Sequence, residues 1–330
     1  MERIDRCEVR GRSLETHATP RAAPASRGGA PPAAAATAPA AAAALVGLGL
    51  LLAGCGTPPP ASQFPSAADA LARMHATYAC VNGVQGDAKI DNFSAQGRIR
   101  GEMSLMVVNP DRVRFDVVSP FGVVLYSLAS NGARFQMTDV KEKIHSYGPA
   151  KTCNLARLTQ VPVPGHALVS LLRGEAPVLA HEPQAASISW DDGGFYRVLL
   201  TGRHDATEEI HIGVRPDDWQ RPWAEQRVRV LDVRVNQRGI DLYQAELDRH
   251  QAASTAPPRD DPDGIDPTIP PSGGACDAEL PRSIRMRVPN TQQDVIFQYK
   301  EAKWNPPIIQ GAFRLVEPGG VRKQFVDCQD

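Results

Sequence analysis

The sequence predicts an α+β, mainly β fold: a curved antiparallel sheet, or incomplete half-barrel, whose concave face is covered by helices. Three observations lead to this prediction. Apolar and polar residues alternate over most of the chain from residue 84 onward, turn signals such as Asn131-Gly132 separate the alternating runs, and one helical hairpin interrupts them near the middle.

The helical segments are short. Residues 66–79 are predicted to form the first helix, because Ser66 can cap it and apolar side chains recur at helical spacing. Two more helices are predicted at 154–160 and 165–172, the second ended by Gly174.

The strands have period-two patterns. Residues 97–108 show the pattern well, with Met103, Leu105 and Val107 on one face and polar side chains on the other. The remaining strand predictions, in chain order, are 113–117, 121–128, 133–137, 141–147, 177–181, 185–190, 195–201, 207–214, 227–235, 240–247, 284–288, 295–299, 313–316 and 323–326. Residues 251–275 are rich in Pro, Asp and Gly and are predicted to be a disordered insertion.

The N-terminal region has the features of a secretory signal. Arginines precede an apolar run at about 41–52, which is too short and too rich in alanine for a stable membrane-spanning helix. The run ends in Leu52-Ala53-Gly54-Cys55, which resembles the lipobox of bacterial lipoproteins. The resemblance implies cleavage before Cys55 and acylation of that residue. An ordinary signal peptide with a chance cysteine is the alternative.

Three regions follow from this organisation. Residues 1–54 are expected to be a lipoprotein signal peptide with a long leader, and 55–65 a lipidated flexible tether. Residues 66–330 are expected to form the folded domain, in which 251–275 is the insertion.

Composition and cysteines limit the function classes. The formal net charge is −1, which gives no sign of a nucleic-acid footprint. The cysteines expected inside the folded domain are Cys80, Cys153, Cys276 and Cys328. An even number in an oxidising compartment predicts disulfides, and the pairing Cys80–Cys153 with Cys276–Cys328 is favoured because each pair flanks one half of the folded region. Zinc is disfavoured because none of the four is close to another in sequence.

Three stretches carry a family resemblance. They are Gly97–Gly101, then Asp111–Phe115 running without a gap to Ser119-Pro120-Phe121-Gly122, and Leu158–Pro164 leading into Leu168–Leu172, Arg173-Gly174 and Pro177. In order and spacing they resemble LolB, the outer-membrane receptor that takes lipoproteins from the periplasmic carrier LolA. Residues 281–306 are similar to the closing strands of the wider LolA/LolB superfamily.

The resemblance implies a helical lid over a hydrophobic cavity that takes lipid acyl chains. The lid residues would be Leu168, Leu171 and Leu172. The inward-facing residues that could line the cavity are Ile99, Met103, Leu105, Val113, Phe115, Val117, Val123 and Leu125. The alternative is that these side chains form a closed core.

A second implied site is the Pro120-Phe121-Gly122 loop. The matching family position is an exposed Leu, thought to insert into the membrane, and an aromatic side chain on a tight turn can serve as the same kind of apolar wedge. Phe121 could equally fold inward as a core anchor.

The expected function follows the resemblance. The chain would be an outer-membrane lipoprotein facing the periplasm, a monomer, with acylated lipoproteins, a LolA-like carrier and membrane lipid as partners. No enzyme signature, metal site or cofactor is predicted: His204 and His211 lack the spacing of a metal or acid–base site, and the acidic run at 260–264 lacks the closing Glu of a calcium loop. The alternative is an envelope-assembly lipoprotein that serves as a protein-binding scaffold.

Overall fold

The computed structural model describes residues 56–94, 97–119, 121–159, 161–255 and 273–328. Within these ranges the protein is mainly β, and its large curved antiparallel sheet is not closed into a barrel. The fold class predicted from the alternating pattern is therefore confirmed.

The elements follow one another in the predicted order. The helices are α1 (Ala67–Tyr78), α2 (Thr152–Thr159) and α3 (Gly165–Leu172). The strands before α2 are β1 (Gly83–Ser94), β2 (Gly97–Val108), β3 (Arg112–Val118), β4 (Val124–Ser130), β5 (Arg134–Asp139) and β6 (Ile144–Pro149). The strands after α3 are β7 (His181–Asp191), β8 (Phe195–Gly202), β9 (Ala206–Val214), β10 (Val228–Gln237), β11 (Ile240–Ala252), β12 (Ser254–Thr255), β13 (Glu279–Val288), β14 (Gln293–Trp304) and β15 (Arg322–Phe325).

Several expectations about the elements need correction. Residues 121–123, 141–143, 177–180 and 313–316 contain no strand, although each was predicted to belong to one. Residues 251–255, expected to be disordered, instead complete β11 and form β12. The rest of that expected insertion, 256–272, lies outside the described residues.

The sheet runs in the order β15-β6-β5-β4-β3-β2-β1-β14-β13-β11-β10-β9-β8-β7, and β12 pairs separately with β14. Neighbouring strands are antiparallel except for the β15–β6 and β12–β14 pairs. The first strand of the chain, β1, therefore lies beside β14, which comes near the end of the chain. Chain segments that are distant in sequence meet at this seam.

One face of the sheet is buried and apolar. Met103 and Leu105 of β2, and Phe115 of β3, lie on it and belong to the main core cluster, whereas Glu102 and Ser104 point to the opposite, exposed face. This arrangement is what period-two alternation requires of a sheet that buries one side only.

The helices cover the apolar face. α1 contacts β7, β8 and β10, α2 contacts β4, and α3 contacts β2, β3 and β13. α1 begins as the sequence predicted, because the Ser66 hydroxyl accepts a hydrogen bond from the Asp69 amide at 3.2 Å.

The segment before α1 is docked on the body, which corrects the flexible tether expected for residues 55–65. The Thr57 amide donates to the carbonyl oxygen of Asp192 at 2.9 Å, and the Trp190 indole donates to the carbonyl oxygen of Thr57 at 2.9 Å. Phe64 is buried, with its ring 4.9 Å from that of Tyr196. A Pro-rich segment has no internal hydrogen bonds, so its free backbone groups can bond to neighbours instead.

The first disulfide closes the seam between β1 and β14. Asn305, just after β14, accepts from the Asn82 amide at 2.7 Å and donates to the carbonyl oxygens of Cys80 and Gly274, both at 2.8 Å. This side chain brings together the two chain segments that carry Cys80 and Cys276, and these cysteines are bonded.

The second disulfide attaches the C-terminal segment. β15 pairs with β6, and the Val326 amide donates to the carbonyl oxygen of Tyr147 at 2.9 Å, so Cys328 reaches Cys153 at the start of α2. The pairing expected from sequence halves is therefore wrong. Each cysteine's partner depends on which strands pair in the sheet, and these strand pairs are far apart in sequence.

The connectivity gives a first prediction. Replacing the seam disulfide by Cys80→Ser/Cys276→Ser should lower the free energy of unfolding by about 2–5 kcal/mol, because the cross-link closes a long loop in the unfolded chain. Urea unfolding of both proteins measures the difference. Unreduced peptide mapping is the independent check, and a Cys80–Cys153 peptide would contradict the connectivity.

Candidate functional site

The turn between β3 and β4 presents large apolar side chains to solvent. Phe121 is 92% exposed and Val123 is 58% exposed. Phe121 thus points outward and does not serve as a core anchor. Pro120, between Ser119 and Phe121, lies outside the described residues.

Backbone hydrogen bonds hold this turn in shape. The Ser119 amide donates to the carbonyl oxygen of Val123 at 2.8 Å, and the Gly122 amide donates to the carbonyl oxygen of Ser119 at 2.9 Å. Gly122 has φ +77°, a conformation that favours glycine, and no neighbouring atom lies within 4 Å of the position a Cβ would take. The turn therefore displays Phe121 on an ordered support.

Neighbouring residues extend the exposed surface. We call Phe121, Val123, Val124, Leu125 and Val140 the apolar patch; all five are exposed. The Val140 amide donates to the carbonyl oxygen of Leu125 at 3.0 Å, which joins the β5–β6 turn to the start of β4.

The β5–β6 turn beside the patch carries both signs of charge. Lys141 and Lys143 are exposed beside Val140, and the exposed Glu142 lies between them. The patch is therefore apolar surface bordered by mixed charge, a composition typical of interaction sites. Val124 and Val140 were not singled out from the sequence, because Val124 lies inside the predicted strand 121–128 and Val140 lies between two predicted strands.

Most residues expected to line a cavity belong to the closed core. Met103, Leu105, Val113 and Phe115 are buried in one cluster, and Val117 packs against it. The side chain of Ile99 lies outside the described parts of the chain.

Val123 and Leu125 occupy a different place from the one expected. Leu128 of β4 pairs with Phe115 on the buried face, so Leu125 falls on the opposite face. Val123 precedes the strand and belongs to the turn. Three apolar residues in a row, Val123, Val124 and Leu125, leave the inward side of this stretch undefined by alternation, and Leu125 is the residue skipped where the register shifts between Val117 and Val118.

The lid residues are also core. Leu168, Leu171 and Leu172 are fully buried where α3 packs on the sheet. Arg173 follows them and is itself buried; its guanidinium donates to the carbonyl oxygen of Val81 and lies 3.3 Å from the Glu175 carboxylate. The end of α3 is thereby fixed to the start of β1.

Two cavities in the described part of the chain open on the other, polar face of the sheet. One of about 480 Å³ is lined by side chains including Asp87, Ser104 and Arg114. A second, of about 760 Å³, lies between β5, β6 and the C-terminal segment. Neither of these cavities opens on the apolar face, where an acyl chain was expected to bind.

The docked N-terminal segment and the apolar patch lie at opposite ends of the strands. Thr57 contacts the β7–β8 turn. Following the register from β8 across the sheet to β3 places the β3–β4 turn at the other end of the strands, together with the β8–β9 and β1–β2 turns. Strands such as β1 and β2 have 12 residues and span about 40 Å at roughly 3.3 Å per residue.

One buried carboxyl on the apolar face was missed by sequence reasoning. Glu208 of β9 is 1% exposed, accepts from the Leu179 amide at 2.6 Å, and its other oxygen has no partner among the described residues. Burial raises the pKa of Glu208 to about 8, although the hydrogen bond from the Leu179 amide lowers this pKa by a smaller amount. Its position in the alternation Ala206, Glu208, Ile210 is the signal that could have found it.

Two further findings concern metals and membranes. Over the described ranges, no group of three or more His, Cys, Asp and Glu side chains is arranged to hold a metal ion. None of the helices in this part of the chain is long and apolar enough to cross a membrane.

Comparison with known proteins gives structural likenesses only. No protein-family model and no curated protein matches the chain. It is similar to a LolA superfamily protein from Nitrosomonas europaea, with TM-score 0.47, 11% identity, and coverage of 76% of this chain and 98% of that one. It is also similar to a DUF1329 family protein from Desulfovibrio piger, with TM-score 0.46, 10% identity, and coverage of 75% and 95%. Because both TM-scores are below 0.5, neither likeness supports an activity.

The buried carboxyl gives a second prediction. Its pKa is higher in the folded protein than the ordinary value of 4.5, so its contribution to stability is complete below pH 4.5 and is lost as the pH rises through about 8. Glu208→Gln should therefore raise the melting temperature by several degrees at pH 8.5 and leave it nearly unchanged at pH 4.5. Thermal unfolding measured by circular dichroism checks this.

Glu182→Gln is the matched control, since Glu182 is exposed on the edge strand β7. It should change the melting temperature little at either pH. Equal effects of the two substitutions would contradict the assignment of the pH dependence to Glu208.

Proposed function

We propose that this chain is a LolB-like outer-membrane lipoprotein, anchored through Cys55 and facing the periplasm, that receives acylated lipoproteins from a LolA-like carrier and helps insert them into the membrane. The observation that carries the proposal is the outward-facing Phe121 on its hydrogen-bonded turn. It occupies the position that the sequence resemblance assigns to membrane insertion. Cys55 itself lies outside the described residues.

The energetics of acyl chains explain why such a surface is needed. Each buried methylene contributes about 0.8 kcal/mol, so releasing several long chains into water costs on the order of tens of kcal/mol. Transfer therefore has to proceed without exposing the chains. A turn that enters the bilayer interface offers a continuous apolar route from protein to lipid.

The position of the anchor sets a condition on this function. The docked segment begins at Gly56, at the β7–β8 end, and the apolar patch lies at the other end of the strands. Both reach one membrane when the strands lie along its plane, or when residues 57–64 detach from the body. An acylated Cys55 can therefore hold Phe121 at the membrane only under one of these two conditions.

The closed core favours a second candidate, an envelope-assembly lipoprotein that binds proteins and takes no acyl chain. The buried positions of Phe115 and Leu171 are the observation behind it. Native mass spectrometry of the full chain carrying Cys55→Ala separates the two functions. Co-purified acylated lipoprotein supports the receptor, and a protein that is consistently free of it supports the scaffold.

The third prediction concerns the turn. Phe121→Glu should reduce delivery of acylated lipoprotein from a loaded carrier to liposomes at least tenfold, because a carboxylate resists entry into the bilayer interface. The fold should be unchanged, since Phe121 has no packing role. Transfer is measured by co-flotation of the cargo with the liposomes.

Val316→Glu is the matched control, because Val316 is 90% exposed and is not one of the patch residues. It should transfer cargo as the parent protein does. Equal delivery of lipoprotein to liposomes by Phe121→Glu and by the control would contradict the proposed role of the turn in membrane insertion.

A further inference from the structure

The cavity of about 760 Å³ on the polar face lies apart from the apolar patch. Its floor is the polar face of β5, β6 and the edge strand β15, and its outer wall is the chain around Phe313, Arg314 and Glu317. The volume is in the range that small-molecule sites occupy, about 300–1,000 Å³.

The outer wall is firmly attached to the sheet. The Leu315 amide donates to the Gln136 side chain at 3.0 Å, and Lys151 pairs with Asp327 at 2.7 Å. Gly148 pairs with Phe135 on the apolar face, and a Cβ on it would lie 1.9 Å from the carbonyl oxygen of Val326, so the chain beyond β15 passes to that face. The chain from Phe313 to Glu317 thus crosses the polar face like an arch, and β15 with the Cys153–Cys328 disulfide beyond it fixes the segment at the sheet edge.

Aromatic side chains line part of the cavity without being buried. Phe325 is 62% exposed, and its ring meets that of Tyr147 edge-on at 5.6 Å. Phe313 lines the wall as well. Exposed aromatic surface inside a concavity offers a place for an apolar group.

The charges on the lining do not balance. Lys323 pairs with Glu317 at 2.8 Å, and Asp327 is taken by Lys151. Among the described residues, Arg134 and Arg314 form no side-chain ion pair and line the same cavity. Two guanidinium groups are thus left for an anion, and Arg binds carboxylate and phosphate through paired hydrogen bonds.

From this juxtaposition we propose that the arch cavity is a binding site for an anionic amphiphile. Its phosphate or carboxylate head contacts Arg134 and Arg314, and its apolar part lies against Tyr147 and Phe325. The site is independent of the proposed insertion turn and does not need the core to open.

The test uses the full chain carrying Cys55→Ala, so that no acyl group of the protein itself competes. Dodecyl phosphate below its micelle concentration is titrated by calorimetry, beside inorganic phosphate and dodecyltrimethylammonium. We expect dodecyl phosphate to bind at least tenfold more tightly than either of the other two. Arg134→Gln/Arg314→Gln should weaken it at least tenfold, and Phe325→Ser should weaken it several-fold.

Arg203→Gln/Arg238→Gln is the matched control, since it removes the same charge from two exposed arginines at strand ends. It should bind as the parent does, and so should Phe121→Glu, which separates this site from the insertion turn. Equal binding of the cationic amphiphile or of inorganic phosphate, or full affinity in the Arg134→Gln/Arg314→Gln variant, would overturn the proposal.

Discussion

Burial of one face of the curved sheet is the constraint on which the rest of the structure depends. A single long sheet with one apolar side has to cover that side, and here the three described helices and the docked segment at 57–64 do so. Side chains such as Met103 and Phe115 then belong to a packed core. What remains for function is what the core does not use: the apolar patch at a strand end and the arch cavity on the polar face.

Local patterns were enough to predict most of the elements. The alternation at 97–108 gave β2 with its bounds, and the helical spacing after Ser66 gave α1. Both rest on interactions between residues near in sequence. The pairing of Cys80 with Cys276 depends on β1 lying beside β14, a contact across nearly 200 residues that no local pattern encodes.

The site was predicted only in part, for related reasons. Phe121 was singled out through the family resemblance and its place between Pro120 and Gly122, which left its direction open, and the structure shows that it points outward. The inward side assigned to Leu125 was wrong because the run Val123-Val124-Leu125 does not alternate, and Leu125, three residues before the buried Leu128, lies on the opposite face. The arch cavity could not be foreseen, since its wall comes from a segment that reaches β6 only in the folded chain.

Membrane insertion of Phe121 is tested most directly by measuring how deeply the β3–β4 turn enters a bilayer. An environment-sensitive fluorophore is attached at Phe121→Cys, or at Val316→Cys as the comparison, in the full chain carrying Cys55→Ala. Vesicles containing phosphatidylglycerol are then added. Insertion of the turn should give a blue shift and increased emission at position 121, and a water-like spectrum at position 316. A water-like spectrum at 121 while the protein co-sediments with the vesicles, or the same shift at both positions, would contradict it.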